Sequence, residues 1–460
     1  MRSSGGWSFD VGSIATTVPF AGVRILASEA AQAVGGRLVG RDVHFTGASF
    51  DSRTLRPEQL FVPIVAERDG HEFIGAARAA GAAAHLTAEP DELRRDGTAI
   101  EVADTGRALL ALAQWARTRL PATVVGITGS VGKTSTKDLC AAACAAGRRT
   151  AANERSFNNE QGLPVTILDA PDDVEVLIVE MGMRGFGEIS RLCEIARPQV
   201  GVVTAVGYSH TERVGGIDGV ARAKGELVEA LPANGTAILN ADDERVAAMR
   251  DRAGAPVLTF GRAAGADVRI SELVLDDLAR PRGTVHTPWG SGELRLAVSG
   301  AHMAVNAAAA LAVAGTVGVD LASALDALGR ARLSAMRMEV LEGPGGSTVI
   351  NDAYNANPTS MRAALDALAA ARGRRRVAVL GLMAELDDPA PAHAAIAEHA
   401  RGLGIEVVAT GTAAYGIEPT DDPLGALGAL GVGDVVLVKA SRAAGLERIV
   451  DALIRRDATR

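Results

Sequence analysis

Cysteine is scarce in this chain, with three residues in 460: Cys140, Cys144 and Cys193. Three thiols cannot build a disulfide framework. Cys140 and Cys144, four apart in a helical stretch, read as buried thiols, since a metal pair would lack partners. A reducing, cytoplasmic compartment is expected. Aromatic residues make up only 3% of the chain, so its cores must be built from Val, Leu, Ile and Ala. No apolar run approaches the roughly 20 residues of a membrane span, and the N-terminus has no signal-peptide pattern, so no membrane insertion is expected. Net positive charge is missing as well. The formal charge of −8 argues against nucleic acid or an anionic membrane as a partner. A polyanion can still be held locally if a metal ion and a few Lys or Arg supply positive charge.

What the chain does have is length, Ala, Gly and a regular alternation of strand-like and helix-like runs. At 460 residues, 48% of them hydrophobic, it is too long for one core, and an α/β protein of about three domains is expected. Residues 1–23 are Gly/Ser-rich without a sustained period and read as a loose leader. Residues 24–120 read as a small α/β domain, in which Asp51, Ser52 and Arg53 fall in a polar turn between strands. Such a turn either contacts a ligand or is an ordinary Asx/Ser turn. Residues 121–332 carry near-continuous apolar runs such as TVVGIT, VEVLIVEMG and PQVGVVTAVG, which suit a parallel sheet buried on both faces. A more alternating stretch, ADVRISELVLDD to GELRLAV, reads as antiparallel strands appended to that sheet. Residues 333–460 read as a second doubly wound, Rossmann-like α/β domain, with its strand ends facing a ligand crevice.

One stretch organises the rest: GITGSVGKTSTKDL, Gly126 to Leu139, between a β-branched strand and a helix-forming segment. Strand, Gly-rich turn, Lys-Thr and helix is the architecture of a phosphate-binding loop. Gly129 and Gly132 let the backbone turn so that successive N–H groups, through Ser130, Val131 and Ser135, face phosphate oxygens. Lys133 would reach the β- and γ-phosphates, and the Thr134 hydroxyl would hold Mg²⁺. The spacing is two residues shorter than the common motif, which leaves a chance Gly-rich turn as the competing reading.

Other polar residues fall at the carboxyl ends of apolar strands, where ligands bind in open parallel sheets. Glu180 ends VLIVE, and His210 follows VVTAVGYS. A second Mg²⁺ between them would neutralise the γ-phosphate during transfer. Lys224 lies on the next helix. An ammonium beside Mg²⁺ is repulsive, so Lys224 either contacts phosphate or is carbamylated by CO₂ into a carboxylate-like ligand. In the last domain INDAYNANPTS packs Asp352, Asn355 and Asn357 into one rigid polar turn, a binding loop. Arg337 precedes it and would reach a nucleotide phosphate across the domain boundary. Lys439 and Ser441 end the strand DVVLV and would hold a carboxylate.

With these residues in place, the chain resembles the Mur ligase family, ATP-dependent enzymes that form the amides of the peptidoglycan peptide. The resemblance runs from about residue 25 to the C-terminus. It rests on FDSRTLRPEQLFVPI, DGHEFIGAARAAGA, TGSVGKTSTKD, SFNNEQGLP, EMGMRGFGEI, SHTERVGGIDGVARAKGEL, NDAYNANPTSM and VLVKASR. The shortened phosphate loop is the form this family uses. The resemblance implies that Lys133 and Thr134 bind ATP and Mg²⁺, that Glu180 and His210 hold a second metal, and that Lys224 is the carbamylated lysine. It places Asn159 at the ATP phosphates, His302 and Asn306 near the adenine, and Arg337 and Asp352 at the nucleotide. The turn Asp51–Arg53 would take the uridine nucleotide end of a sugar substrate, and Asn355, Asn357, Lys439 and Ser441 would border the acceptor.

Within the family, SFNNE and YNANP point to the branch that adds D-alanyl-D-alanine to UDP-N-acetylmuramoyl-tripeptide through an acyl phosphate. A monomer is expected. Three features depart from the family pattern: Met303 where many relatives have Asn, Leu382 where an acidic residue is common, and HTER after Ser209. Another Mur-type ligase with a different acceptor, a non-catalytic nucleotide-binding paralogue and an unrelated P-loop kinase or GTPase are the alternatives.

Overall fold

Val- and Ile-rich strands and Ala-rich helices alternate along the chain and assort into three α/β domains in the computed structural model. The structure describes residues 22–89, 97–153, 157–208, 211–386 and 389–455. Nearly all of the expected leader, and His210 with Ser209 before it, therefore lie outside the described residues. Among the described residues, no helix is long and apolar enough to cross a membrane.

The N-terminal domain runs through β1 (Arg24–Leu26), α1 (Ala27–Ala33), β2 (Arg37–Val39), β3 (His44–Thr46), β4 (Ala48–Ser49) and β5 (Leu60–Phe61). It continues with α2 (Ile74–Ala79), β6 (Ala84–Thr87), β7 (Ala99–Glu101) and α3 (Thr105–Arg117). Its main sheet has the order β2-β7-β6-β5-β4, and β1 pairs with β3 beside it. The short strands place the polar turn at Asp51 just beyond β4. The buried face of α3, including Leu109, Leu112 and Ala116, shares one apolar core with Val124, Leu168 and Val179 of the central domain.

The central domain alternates β8 (Thr123–Thr128), α4 (Lys133–Ala145), β9 (Thr150–Ala152), α5 (Gly162–Asp169), β10 (Val176–Glu180) and α6 (Glu188–Ala196). Next come β11 (Val200–Val203), α7 (Thr211–Val214), α8 (Ile217–Glu229), β12 (Thr236–Asn240), α9 (Glu244–Ala247) and β13 (Val257–Gly261). The hairpin strands β14 (Val268–Leu275), β15 (Pro281–Thr287) and β16 (Gly290–Arg295) precede α10 (His302–Thr316) and α11 (Leu321–Arg330). One nine-stranded sheet results, in the order β16-β15-β14-β13-β12-β11-β8-β10-β9. Strands β8 to β14 pair in parallel, and β15 and β16 extend the edge antiparallel. Both faces are covered, which is why the parallel strands are continuously apolar. The Ala side chains from Ala307 to Ala310 on α10 are fully buried. Their small size lets α10 lie close against α4 and brings Asn306 to the phosphate loop.

The C-terminal domain comprises β17 (Glu339–Gly343), β18 (Ser347–Asp352), α12 (Pro358–Ala370), β19 (Arg375–Leu380), α13 (Pro389–Gly402), β20 (Glu406–Ala409), α14 (Pro423–Leu427), β21 (Asp434–Lys439) and α15 (Glu447–Arg455). Its sheet order is β17-β18-β21-β19-β20, with only β17 antiparallel. Strands β18 and β21 are neighbours in register, with Asp352 opposite Lys439 at their carboxyl ends. That pairing puts the polar turn after β18 beside the end of β21, facing the central domain.

Candidate active site

The phosphate loop joins β8 to α4 through two glycines in the left-handed region, Gly129 at φ 152° and Gly132 at φ 81°. Side chains would not fit there. A Cβ on Gly129 would lie 1.9 Å from Thr204 Oγ1, and one on Gly132 would lie 3.0 Å from Asn306 Oδ1. The loop is thus wedged between β11 and α10, with the N-terminus of α4 opening into a cavity of about 780 Å³.

Thr134, in the first turn of α4, is the centre of a small network. Its Oγ1 donates to Glu180 Oε2 at 2.8 Å and accepts from Arg337 Nη2 at 3.0 Å. The other carboxylate oxygen of Glu180 accepts from Asn158 Nδ2 at 2.8 Å. Glu180 ends strand β10 of the central domain and is 2% exposed. Burial works to raise its carboxyl pKa, but Lys133, Asn158, Arg337 and Thr134 outweigh burial and hold it below the ordinary glutamate value. Glu180 is therefore an anion at neutral pH.

Lys133 donates from Nζ to the carbonyl of Gly129 at 2.7 Å. Desolvation lowers its pKa, Arg337 pushes the same way, and Glu180 and Glu385 oppose. Lys224, on α8, is 2% exposed. Burial, reinforced by Lys133 and opposed by Glu180, drives its pKa well below the usual lysine value. Lowering the pKa of a buried amine favours its free, nucleophilic form over the ammonium.

The C-terminal domain supplies the opposite wall. Arg337 lies with its guanidinium carbon 4.0 Å from the centre of the Tyr354 ring. Asp352 accepts from Lys439 Nζ at 2.5 Å and from the backbone N–H of Met338 at 3.1 Å. Lys439 also donates to the carbonyl of Asn355 at 2.8 Å. Burial lowers the pKa of Lys439, against the pull of Asp352. His302, at the start of α10, has its pKa lowered by burial, and Asp352 opposes this.

One cavity gathers Gly129 to Ser135, Asn159, Glu180, Lys224, His302, Asn306, Arg337, Asp352, Asn355, Asn357 and Lys439 among its lining. The turn Asp51–Arg53 and Ser441 are not part of that lining. The guanidinium of Arg53 is bound to its own neighbour, with Nη2 2.7 Å from Asp51 Oδ2. That turn is nonetheless close in the chain to a contact with the site. Phe50 packs on Phe157 with ring centres 5.6 Å apart, so Asp51 and Asn158 each follow a ring of one pair.

Several side chains have structural duties that the sequence did not reveal. Asn159 Oδ1 accepts from the N–H groups of Gln161 and Gly162 at the start of α5, while the adjacent Asn158 is the residue bonded to Glu180. Asn357 caps α12 through Ser360 N at 2.9 Å. Ser441 Oγ accepts from Ala384 N at 2.9 Å, and its N–H donates to the carbonyl of Leu382 at 2.9 Å. Leu382 is thus held by its backbone. Met303 takes the amide of Asn306 on its sulfur at 3.6 Å.

Glu385 and Tyr354 line the cavity too and were not picked out from the sequence. The acidic stretch after β19 was the nearest signal for Glu385, which follows Leu382 by three residues, and the INDAYNANPTS turn was the signal for Tyr354.

Thr134 and Glu180 are hard oxygen donors 2.8 Å apart, a donor set that fits Mg²⁺. As an amine Lys224 does not fit that ion, whereas its carbamate would. Among the described residues, the only group of three metal-type side chains is elsewhere: Asp69, His71 and Glu89. There both ring nitrogens of His71 are engaged, Nδ1 by Asp69 at 2.7 Å and Nε2 by Ala88 N at 3.0 Å. All three cysteines are free and buried, and burial raises the thiols of Cys144 and Cys193 to about 12.

Comparison with known proteins agrees in sequence and in fold. Residues 127–314 match the Mur ligase middle domain, and residues 336–457 match the Mur ligase glutamate ligase domain. A curated relative from Mycobacterium tuberculosis (strain CDC 1551 / Oshkosh), UDP-N-acetylmuramoyl-tripeptide--D-alanyl-D-alanine ligase, is 40% identical over 471 residues, covering 89% of this chain and 92% of the relative. The enzyme of the same name from Escherichia coli (strain K12) is 32% identical over 94% of this chain and 98% of its own length. Among solved structures, MurF from Acinetobacter baumannii superposes with a TM-score of 0.84 at 27% identity, covering 95% of this chain and all of that one. MurF ligase from Thermotoga maritima in complex with ADP gives 0.77 at 27% identity, covering 90% and 98%.

Proposed function

The chain belongs to the Mur ligase family, and on that premise we propose that it joins D-alanyl-D-alanine to UDP-N-acetylmuramoyl-tripeptide at the expense of ATP. The product is the UDP-N-acetylmuramoyl-pentapeptide precursor of peptidoglycan, released with ADP and phosphate in the cytoplasm. One observation carries this reading. Lys133 and Thr134 of the phosphate loop share a cavity with Glu180 and Lys224 and, from the C-terminal domain, with Arg337, Asp352 and Lys439.

Carboxylate oxygen is a poor leaving group, so amide formation needs activation. The terminal carboxylate of the tripeptide attacks the γ-phosphorus of ATP, ADP departs, and an acyl phosphate forms. The dipeptide amine, losing a proton, attacks the acyl carbon, and phosphate leaves from the tetrahedral intermediate. Lys133 holds the transferring phosphoryl group by charge and Arg337 the phosphates that stay on the nucleotide, which is catalysis by position and electrostatics. Thr134 and Glu180 would hold Mg²⁺, which when bound neutralises phosphate charge, and His210 and the Lys224 carbamate would serve a second ion. The depressed pKa of Lys224 favours the free amine that adds to CO₂, releasing a proton and leaving an anionic oxygen donor in place of a cation.

Residues 24–120 take the UDP-sugar through Asp51, Ser52 and Arg53, residues 121–332 take ATP, and residues 333–460 complete the nucleotide and acceptor sites. Asn355 and Lys439 border the dipeptide, and Asn357 and Ser441 keep that border in shape. Meeting of the two larger domains around ATP would exclude water from the acyl phosphate.

A phosphate-release assay with UDP-N-acetylmuramoyl-tripeptide tests the reading, with D-alanyl-D-alanine set against single amino acids. Release only with the dipeptide is expected. Release with a single amino acid instead, or none with any acceptor, would overturn it.

A further inference from the structure

One turn beyond Thr134, helix α4 buries an ion pair inside an otherwise Ala- and Cys-rich core. Lys137 and Asp138 are each 1% exposed, with Lys137 Nζ 2.9 Å from Asp138 Oδ1. Lys137 is fixed further by donating to the carbonyl of Asn153 at 2.5 Å. The second oxygen of Asp138 leaves the central domain's own structure. Its Oδ2 accepts the backbone N–H of Ser334 at 2.8 Å, across 196 residues of chain.

Ser334 opens the segment that enters the C-terminal domain, and three residues later that segment delivers Arg337 to Thr134. The segment does not hold its shape by propensity. Met336 and Met338, on either side of Arg337, have φ of 62° and 51°, values that non-glycine side chains disfavour and that persist only where the surroundings impose them. Asp352 fixes the far end through Met338 N at 3.1 Å. Asp138 fixes the near end.

A buried ion pair is a weak source of stability, because desolvation offsets most of the attraction. We propose that Asp138, oriented by Lys137, is a positioning residue that holds the 334–338 segment so that Arg337 meets the phosphate loop. The inference rests on the reading of the cavity as a nucleotide site.

The test is a double-mutant cycle on ADP affinity, measured by calorimetry with Mg²⁺ on the full chain, with thermal unfolding as the control for folding. Lys137→Met/Asp138→Leu removes both charges and the acceptor. It is expected to fold like the wild type and to bind ADP about tenfold more weakly. Lys137→Met/Asp138→Asn keeps an amide oxygen for Ser334 and is expected to restore most of that affinity. Arg337→Ala is expected to weaken ADP binding about tenfold in the wild type and less than about twofold in the Leu-containing variant, since the two act through one contact. Should that variant not fold, Ser334→Pro deletes the donor itself and serves in its place. An equal effect of Arg337→Ala in both backgrounds, or wild-type affinity in the Leu-containing variant, would overturn the inference. No effect of Arg337→Ala in the wild type would do the same while leaving the nucleotide reading intact. A wild-type protein that binds no ADP would overturn that reading, and the inference with it.

Discussion

The Oγ1 of Thr134 lies 2.8 Å from Oε2 of Glu180 and donates to it. One residue follows the phosphate loop and the other ends a strand 46 positions later, yet together they form an oxygen pair at the head of the cavity. Glu180 is buried, anionic and matched by cations on two sides, which is the electrostatic setting that phosphoryl transfer needs.

Lys133→Ala should leave the fold intact and remove the charge that meets the transferring phosphoryl group. Loss of phosphate release by at least about a thousandfold is expected, with thermal unfolding within a few degrees of wild type. A variant turning over at a near wild-type rate would refute the mechanism.

Lys224 should carry the mass of one CO₂ when the active enzyme is analysed intact under bicarbonate, and activity should fall when CO₂ is stripped from the buffer. The observation behind this is a buried amine whose pKa burial drives well below that of a free lysine. An unmodified amine in fully active, bicarbonate-independent enzyme would rule the carbamate out.

Asp169, at the end of α5, clasps the N-terminal domain to the central one. It accepts from Ala48 N and from Gln59 Nε2, each at 3.0 Å, and pairs with Arg56 at 3.0 Å. Asp169→Ala leaves the Ala48 N–H without its acceptor and Gln59 Nε2 with only the Ala48 carbonyl at 3.3 Å, and should destabilise the protein by about 2 kcal/mol. Since Asp169 holds Ala48 of β4, just before the Asp51–Arg53 turn, the KM for the UDP-sugar substrate should rise more than the KM for ATP. Unchanged unfolding temperature and unchanged KM values would count against the clasp.

His393 should make the protein acid-sensitive. Its Nδ1 donates to the carbonyl of Pro389, and its Nε2 accepts from Met383 N at 3.0 Å, so the folded protein needs the neutral ring. Burial accordingly lowers its pKa from 6.5. Above that value neither state is protonated and the group contributes nothing. As pH falls below it, the unfolded chain takes up a proton that the folded one resists, and stability drops until the folded pKa is reached. His302, whose pKa burial also lowers, adds to the same trend. Urea unfolding of wild type and His393→Gln between pH 7 and 5 should show a shallower decline in the variant. Parallel curves would contradict the assignment.

How far the sequence went can be seen residue by residue. The phosphate loop, the Glu180 strand end and the buried cysteines were legible because each depends on a local pattern. A β-branched run, a glycine pair and a helix start are set by neighbours in the chain. The same holds for the parallel sheet with its antiparallel extension, since burial on both faces or on one writes itself into the spacing of apolar residues. What the sequence could not supply was which of two adjacent asparagines turns toward Glu180. That is Asn158, because Asn159 is taken by the start of α5. Nor could it join Asp138 to Ser334, or aim Arg337 at Thr134. Those pairings link points some 200 residues apart, and their geometry follows from how α10, α4 and the interdomain segment pack. Chemistry-bearing residue types were thus determined by the sequence alone. Their partners were decided by tertiary packing, because a hydrogen bond is fixed to tenths of an ångström and local periodicity carries no information at that scale.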